Sequence, residues 1–235
     1  MKELKIVTGF KKLQSDLSGM TYKQKLEHIW TYYRWKFILV ILSVILLTSL
    51  IVSIVQNKGV NIIIGGVSVN TSISQEGEAY LTEGYKAHVG STSDKERFSF
   101  AEHDVQNPLT NPNANASENY QKLEILLTLC ANKQIDYLIT DREAFEILVK
   151  QNACADLNRI FSAEEIAKLG DQIIYYQPDG STQKIPVAIN IQNTAFIQDN
   201  TDATGMVYFI FVSNSERLEQ ARNLYDYLLA WPAKK

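Results

Sequence analysis

The sequence contains few of the residues that covalent and metal chemistry require. Its 235 residues include two cysteines and three histidines. These form no Cys-x-x-Cys element and no histidine pair four positions apart, so the usual ligand spacings of a zinc site are missing. No Gly-x-Ser-x-Gly elbow and no convincing Ser-His-Asp set is present, which disfavours a nucleophilic hydrolase.

The remaining candidates for chemistry are sparse. His88 and His103 stand in the C-terminal part of the chain, and a metal site that combines them with Glu102 or Asp104 is one interpretation. Adjacent acidic residues elsewhere fall on predicted solvated helix faces, so general acid–base catalysis is not indicated. The sequence predicts that the chain is not an enzyme and holds neither a metal nor a cofactor.

Charged residues are missing from residue 37 to residue 57. A run of about twenty such residues suits an α-helix that crosses a hydrocarbon core, and soluble helices rarely stay apolar on every face for so long. No Ala-x-Ala cleavage site follows the run, and no cysteine at its outer end can accept lipid. We therefore predict a retained transmembrane helix over 37–57, with a buried core helix as the alternative.

The two flanks of this run differ in charge. Residues 1–36 contain eight Lys or Arg and three Asp or Glu, which gives them a formal charge of about +5. Because the whole chain has a formal net charge of −3, the remaining residues carry about −8. Short basic flanks stay in the cytoplasm. The pattern predicts a single-pass plasma-membrane protein with its N-terminus in the cytoplasm and residues 58–235 outside the cell.

The basic flank is also rich in aromatic residues. Thr21 and Gln24 have the spacing of a capping box, and the helix that they start is expected to lie at the membrane interface before it bends into the spanning helix. Aromatic rings favour the headgroup level, and basic side chains suit an anionic inner leaflet. The predicted interface anchors in this lipid bilayer are Trp30, Tyr33, Trp35 and Lys36.

Residues 58–235 are expected to form one extracytoplasmic domain, because about 180 residues suffice for a single well-buried core. The connection from the membrane, QNKG, is very short, so we expect the domain to lie almost against the bilayer. An Asn/Pro-rich segment, 107–120, cannot pack apolar surface and predicts an exposed loop. No internal repeat is present.

Strand and helix patterns alternate within this domain. Apolar β-branched runs predict strands, helical stripes with capping residues predict helices, and Pro178-Asp179-Gly180 predicts a hairpin turn. Strands separated by helices favour an α/β architecture whose central sheet is covered on both faces, and the hairpin makes the predicted sheet mixed. The predicted strands are 59–67, 135–140, the hairpin 171–191 and 205–214, with weaker β-like stretches at 76–90 and 97–105; the predicted helices are 117–134, 141–152, 161–170 and the segment from Leu218 to Leu228.

Three segments resemble parts of bacterial extracellular solute-binding proteins. KQIDYLITDREAFEILVKQNACADLNRIF resembles their helix, strand and helix followed by an Asp-Leu pair, here Asp156 and Leu157. KIPVAINI is similar to the strand that returns to the first lobe, and VYFIFVSNSERLEQARNLYDYLL to the closing strand and helix. The whole layout, a basic IWTYYRWK flank, one helix and such a domain, is similar to uncharacterised membrane proteins of Gram-positive, Clostridia-type bacteria.

The resemblance covers roughly residues 118–230 and implies one lobe of a type 2 periplasmic-like binding protein. It implies a membrane-anchored module of the bacterial cell envelope that contacts a small solute or a neighbouring membrane protein, such as a transporter. The alternatives are a purely structural domain without a ligand and, from another class, a surface hydrolase. Nucleic acid is a disfavoured partner, because the outer part is acidic and lies outside the cell.

Two strand ends are the candidate ligand sites. Gly65 and Gly66 follow the first predicted strand, and Thr140 and Asp141 follow a second one. Loops at strand ends are where open α/β sheets bind ligands. The structural alternatives are a tight turn at the glycines and a helix cap at Asp141.

The two cysteines, Cys130 and Cys154, are expected near the same edge of the sheet. A location outside the cell permits oxidation, so a disulfide between them is one interpretation. The other is two small buried residues, with Cys130 already on an apolar helical stripe.

Overall fold

The computed structural model of the chain describes residues 19–57, 61–105 and 116–232. The chain divides into two compact units, Met1–Gly59 and Val60–Lys235.

In the part of the first unit that the structure describes, residues 19–57, the chain forms the long helix α1 (Tyr22–Asn57). The Oε1 atom of Gln24 accepts hydrogen bonds from the N–H and the hydroxyl of Thr21, each at a distance of 3.0 Å. The bond from the N–H of Thr21 is one half of the predicted capping box. The predicted interfacial helix and spanning helix are parts of this one continuous element. Within the described residues, no helix combines the length and the apolar character that crossing a bilayer requires.

The described side chains of α1 are largely exposed. Every large apolar side chain from Ile38 to Val52 keeps between 45 and 64% of its surface accessible. Trp30 and Trp35, two of the predicted anchors, are 66 and 68% exposed. The side chains of the other two, Tyr33 and Lys36, lie outside the described set.

The second unit is built on a six-stranded mixed sheet with the order β2-β1-β3-β6-β5-β4. β1 pairs in parallel with both β2 and β3. β6 is antiparallel to β3 and to β5, and β4 is antiparallel to β5. The prediction of a mixed α/β sheet is confirmed. The strands are β1 (Asn61–Val69), β2 (Glu96–His103), β3 (Tyr137–Asp141), β4 (Ile173–Tyr176), β5 (Ile185–Asn190) and β6 (Val207–Phe211).

Short helices connect these strands, and most have a capping residue. Ser162 and Glu165 form the predicted capping box at the start of α6, and Gly170 follows that helix with a φ of 51°. The helices are α2 (Gln75–Ala79), α3 (Tyr85–His88), α4 (Ala116–Ala131), α5 (Arg142–Lys150), α6 (Ala163–Leu169), α7 (Ala195–Asn200) and α8 (Leu218–Leu229); a π-helical turn, Tyr80–Gly84, joins α2 to α3, and 3₁₀ turns span Leu157–Arg159 and Gly170–Gln172.

Two predictions of local structure were wrong. The stretch 76–90, predicted to be β-like, is helical, because Ser74 caps it and because Leu81 and Tyr85, four residues apart, are both buried on one helical face. The predicted loop 107–120 extends too far, since α4 already begins at Ala116. Residues 107–115 of that loop lie outside the described part of the chain.

Helices cover both faces of the sheet. Side chains alternate along β6, so Phe209 and Phe211 pack in one apolar cluster while Tyr208 and Ile210 pack in another. The helical segment 75–88, α7 and α8 contribute to the cluster with Phe209, which we call the first face. Helices α4 and α5 contribute to the cluster with Tyr208, which we call the second face.

Candidate functional site

The order of the strands creates a crevice beyond the carboxyl ends of β1 and β3. From β1 the chain passes through α2 and α3, on the first face, to β2 at one side. From β2 it returns through α4, on the second face, to β3 at the other side of β1. Because adjacent crossovers lie on opposite faces, their loops separate at the carboxyl ends of these strands. Ligands of open α/β sheets bind at such points.

A cleft of about 610 Å³ lies at this point of the sheet. Its walls come from three segments: Asn70 and Thr71 after β1, the start of α5 after β3, and the loop 202–206 that precedes β6. A volume of this size is typical of a site for a small molecule, roughly 300–1,000 Å³. We therefore treat this cleft as the candidate site.

Asn70 fixes the wall after β1. It has a φ of 55°, which turns the chain away from the strand direction. Its Nδ2 atom donates to the carbonyl of Val105 over 2.7 Å, and its Oδ1 atom accepts from the N–H of Val105, also over 2.7 Å. The same amide donates to Oδ1 of Asp141 at a distance of 3.4 Å. Asn70 thus links the carboxyl ends of the three parallel strands β1, β2 and β3.

Thr71 is the next residue and lines the cleft. It is only 5% exposed, and its hydroxyl has no hydrogen-bond partner among the described residues. A buried hydroxyl without a partner costs free energy, about 1–3 kcal/mol. The oxygen has almost no accessible surface, so it is closed off from the cleft that other atoms of Thr71 line.

Asp141 joins the cleft to the sheet. Its Oδ1 atom accepts from the N–H of Ala144 over 2.8 Å, which confirms its predicted role as the N-cap of α5. Burial of the carboxyl raises its pKa above the ordinary value, against the opposing effect of the hydrogen bonds from Ala144 and Asn70. A carboxylate that burial disfavours in this way is stabilised by an approaching positive charge.

Carboxylates dominate the charge of the cleft. Besides Asp141, the lining includes Glu143, Glu146 and Asp202. One of the described lining residues is basic: Arg142, whose Nε atom is 2.9 Å from Oε1 of Glu146. The charge of Arg142 is thus offset within the wall, and the cleft remains net negative.

Of the candidate ligand-binding residues predicted from the sequence, the structure places only some at the cleft. Asp141 lines the cleft. Thr140 lies directly behind it, fully buried, and its hydroxyl donates to the carbonyl of Asp141 over 3.3 Å. Asn70, Thr71 and the loop 202–206 were missed, because nothing in their local pattern shows that distant strand ends converge there.

Gly65 and Gly66 do not end their strand, which corrects their predicted position. Both lie inside β1, which continues to Val69. A Cβ atom on Gly65 would lie 2.0 Å from the carbonyl oxygen of Gln134, and one on Gly66 would lie 2.1 Å from the ring of Tyr137. The glycines therefore allow the close approach of neighbouring backbone and ring, and protein atoms occupy the space beside them.

The two outer histidines are not brought together. The ring of His88 lies 4.7 Å from that of Tyr227 in α8, on the first face. Nε2 of His103 is 2.8 Å from the carbonyl oxygen of Lys122 in α4, on the second face. The metal site that would combine the two histidines is not formed. No cluster of three or more His, Cys, Asp or Glu in the described part of the chain could hold a metal ion.

Cys130 and Cys154 pack in the same apolar cluster on the second face, and both are free thiols in the structure. Burial raises the pKa of Cys130 to about 11 and that of Cys154 to about 12. Cys130 is buried and Cys154 is partly buried, and the disulfide between them stays a prediction.

A smaller cleft of about 330 Å³ lies at the carboxyl end of β5. Two of its polar side chains are already bonded within the fold: Oδ1 of Asn190 accepts from the N–H of Gln192, and the Thr194 hydroxyl caps α7. Its polar groups are thus used for local structure, unlike the hydroxyl of Thr71.

Comparisons of the chain with protein-family models, with curated proteins and with solved structures found no match. The function is therefore argued from the geometry of the chain itself.

Proposed function

We propose that the chain is a membrane-anchored, extracytoplasmic module of the bacterial cell envelope that binds a small solute in the cleft beyond β1 and β3. The observation that carries solute binding is the cleft itself, whose volume of about 610 Å³ suits a small molecule. The position of the cleft, at a point where adjacent crossovers diverge, supports the same function.

The surface of α1 supports the anchor. Apolar side chains from Ile38 to Val52 are exposed one after another around the helix, and the sequence carries no charge from residue 37 to residue 57. Soluble proteins rarely expose a contiguous apolar patch larger than a few hundred Å². A lipid bilayer is the partner whose chemistry suits an apolar surface on all sides of a helix.

A neighbouring envelope protein, such as a transporter, is the second candidate partner. The observation that favours it is the short connection: only residues 58–60 separate the end of α1 from the start of β1. Three residues extend over roughly 10 Å, so an anchored domain stays within reach of other membrane proteins. Crosslinking in cells that recovers no specific membrane protein would count against this partner.

The orientation is tested by labelling single cysteines in intact cells with a membrane-impermeant maleimide. Thr182→Cys places a thiol in the exposed β4–β5 turn, and Lys23→Cys places one in the first turn of α1. We expect labelling of Thr182→Cys in intact cells, and of Lys23→Cys only after lysis. The wild-type chain is the control that measures labelling of the two native cysteines. The reverse pattern, or labelling of both variants in intact cells, would overturn the orientation.

Membrane insertion is tested by extraction of the membrane fraction with alkaline carbonate. The wild-type chain is expected to remain in the pellet. Leu46→Lys combined with Leu50→Lys should release it, because each lysine near the centre of a spanning helix costs about 2.5–3.5 kcal/mol. Tyr22→Lys, at the start of α1, is the matched control and should remain in the pellet. Release of the wild-type chain would contradict the anchor.

Solute binding is tested by thermal unfolding of the detergent-solubilised full chain in the presence of a library of polar metabolites. A compound that binds the folded state raises the Tm. Asp141→Asn keeps a good helix cap and removes a charge from the cleft lining, so it should abolish or weaken that rise for a charged ligand. A rise that is identical in wild type and Asp141→Asn would place the ligand elsewhere. A library without any stabilising compound would favour a structural domain.

A further inference from the structure

We infer that the loop between α3 and β2, residues 89–95, contacts anionic lipid headgroups of the bilayer that holds α1. The inference rests on the membrane anchor of the proposed function and adds to it the surface of the outer domain that meets the lipid. Three observations carry it: the bond between this loop and the first residue of β1, the basic and apolar side chains in and next to the loop, and the acidic charge at the opposite end of the sheet.

The chain itself keeps this loop close to the bilayer. Asn61 begins β1, and only residues 58–60 separate it from the end of α1 at Asn57. At most roughly 15 Å of extended chain joins these two residues. The N–H of Asn61 donates to the carbonyl of Lys95 over 2.7 Å. The last residue of the loop therefore lies beside the first residue of the outer domain, a short tether away from the anchor.

The loop and the candidate cleft lie at opposite ends of the sheet. β2 is parallel to β1, and its first residue, Glu96, is in register with Asn61. The wall of the cleft starts at Asn70, beyond the other end of β1. The nine residues of β1 extend over about 30 Å. Contact between the loop and the lipid thus leaves the cleft open to the solution.

The side chains of the loop and its flanks suit a headgroup layer. Val89 keeps 46% of its surface accessible. Lys95, at the end of the loop, and Arg97, just beyond it, are also exposed. Apolar side chains enter the boundary between headgroups and acyl chains, and long basic side chains reach the lipid phosphates while their stems lie along apolar surface.

The charge of the outer domain is unevenly distributed. Residues 86–97 contain three Lys or Arg and two Asp or Glu, within a domain whose formal net charge is about −8. The cleft at the other end of the sheet is lined by four carboxylates and one arginine. An anionic lipid surface attracts the first end and repels the second. Both forces therefore turn the loop towards the bilayer.

A depression of about 370 Å³ lies beside the loop and offers room for part of a headgroup. The carboxylate of Glu96 in its lining accepts a hydrogen bond from the hydroxyl of Ser91, so this acid is already bonded within the fold. Apolar groups joined to hydroxyl groups match the junction between a lipid phosphate and its acyl chains. The apolar side chains of the lining are Ile63, Val89 and Phe98, and the hydroxyl side chains are Ser91, Thr92 and Ser93.

The test is fluorescence quenching in the full chain, reconstituted into vesicles of phosphatidylcholine with about 30% phosphatidylglycerol. The fluorophore is attached to Thr92→Cys in the loop, to Thr204→Cys in the cleft wall, or to Leu46→Cys in α1. The wild-type chain measures background labelling of the native cysteines. A nitroxide on the lipid headgroup quenches a fluorophore at the membrane surface, and a nitroxide on the acyl chain quenches one inside the bilayer.

We expect the headgroup nitroxide to quench Thr92→Cys at least about fivefold more strongly than Thr204→Cys, because the two ends of β1 are about 30 Å apart. The acyl-chain nitroxide should quench Leu46→Cys. In vesicles of phosphatidylcholine alone, the quenching of Thr92→Cys should fall to about half or less, because the attraction between basic side chains and anionic lipid is lost.

Two charge variants assign the effect to the loop. Lys95→Gln combined with Arg97→Gln removes two exposed charges, so the Tm should stay near that of the wild type. The quenching of Thr92→Cys should fall in this variant to about the level in neutral vesicles. Lys122→Gln combined with Lys168→Gln removes two charges from α4 and α6 and is the matched control. It should leave the quenching unchanged.

The outcomes separate this inference from the proposed function. If the acyl-chain nitroxide does not quench Leu46→Cys, the anchor fails and this inference fails with it. If Leu46→Cys is quenched but Thr92→Cys and Thr204→Cys respond alike to the headgroup nitroxide, the anchor stands and this inference is wrong. Equal quenching of Thr92→Cys in neutral and anionic vesicles would overturn the anionic headgroup as the partner. A fluorophore on Thr92→Cys that is shielded from aqueous iodide but is not quenched by lipid would mean that a protein covers the loop instead.

Discussion

The guanidinium of Arg217 donates from Nε to Oδ2 of Asp136 over 2.9 Å, and the carboxylate of Asp136 is completely buried. Oδ2 also accepts from the N–H of Gly65 over 2.8 Å, and Oδ1 accepts from the hydroxyl of Ser215 over 2.6 Å. The carboxylate of Asp136, which directly precedes β3, is thus hydrogen-bonded both to β1 and to the loop before α8. It lies at the amino end of β3, opposite the candidate cleft.

Arg217→Met is expected to destabilise the fold strongly. The methionine keeps the apolar stem and removes the charge, so the buried carboxylate of Asp136 loses its counter-ion. Breaking a buried pair in this way costs about 3 kcal/mol or more. Urea unfolding of the full chain in detergent measures the change.

A second ion pair provides the control for this prediction. Arg142→Met breaks the pair with Glu146, in which the side chains are 70 and 55% exposed. Exposed pairs contribute about 0–1 kcal/mol, so this variant should unfold at nearly the wild-type urea concentration. If Arg142→Met and Arg217→Met lose the same amount of unfolding free energy, the burial of Asp136 does not explain the contribution of its ion pair to stability.

Much of the fold was predictable because local patterns agree with it. The apolar strand that became β6 is uninterrupted, the Ser162–Glu165 spacing is that of a capping box, and Asp141 caps α5 as expected. The stretch 76–90 was not predictable in the same way. Its glycines and scattered aromatic residues match neither the helical period of 3.6 residues nor the strand period of two. Its helical form depends on the burial of Leu81 and Tyr85 against the sheet.

Gly66→Ala is expected to destabilise the fold by about 3 kcal/mol, because over-packing a filled core forces neighbours to shift. A Cβ atom at Gly66 would lie 2.1 Å from the ring of Tyr137, which is fully buried and stacks on Phe209 with a centroid distance of 5.3 Å. The ring therefore has little room to move. Thermal or urea unfolding measures the loss.

Gly205→Ala is the control for the glycine prediction. No atom lies within 4 Å of a Cβ built at Gly205, and its φ is not in the left-handed region. We expect its stability to match the wild type to within about 0.5 kcal/mol. A Gly66→Ala protein of wild-type stability would show that the ring of Tyr137 has another place to pack.

The thiols of Cys130 and Cys154 are expected to react slowly in the folded chain. Burial raises their pKa to about 11 and about 12, and the thiolate is the reactive form. At about pH 8 the reaction with a chromogenic disulfide should be at least about a hundredfold slower than that of a free cysteine. In denaturant, both thiols should react at once.

The same experiment also tests the disulfide that the sequence allows. Protein purified without reductant should release two thiols on denaturation if the free state seen in the structure persists. If no thiol reacts in the denatured protein, and two react after reduction, Cys130 and Cys154 form a disulfide. Cys130→Ala is the control, because it leaves one thiol in either case.

The candidate site was predictable only in part. Strand ends were expected to bind ligands, and Asp141 indeed lines the cleft. Thr71 and Asp202 could not be chosen from the sequence, since their proximity depends on the strand order β2-β1-β3-β6 rather than on local pattern. The sheet brings together residues that are more than 130 positions apart.

The pH dependence of stability should report on Asp141. Its pKa is higher in the folded chain than its ordinary value, because the carboxyl is desolvated. The folded state therefore binds this proton more tightly than the unfolded state does. The stabilising contribution is present at pH below the unfolded pKa, and it is lost as the pH rises through the folded pKa. Relative to Asp141→Asn, the wild-type chain should thus lose stability as the pH rises from below the ordinary pKa of an aspartate through the raised pKa of Asp141, which urea unfolding at a series of pH values measures.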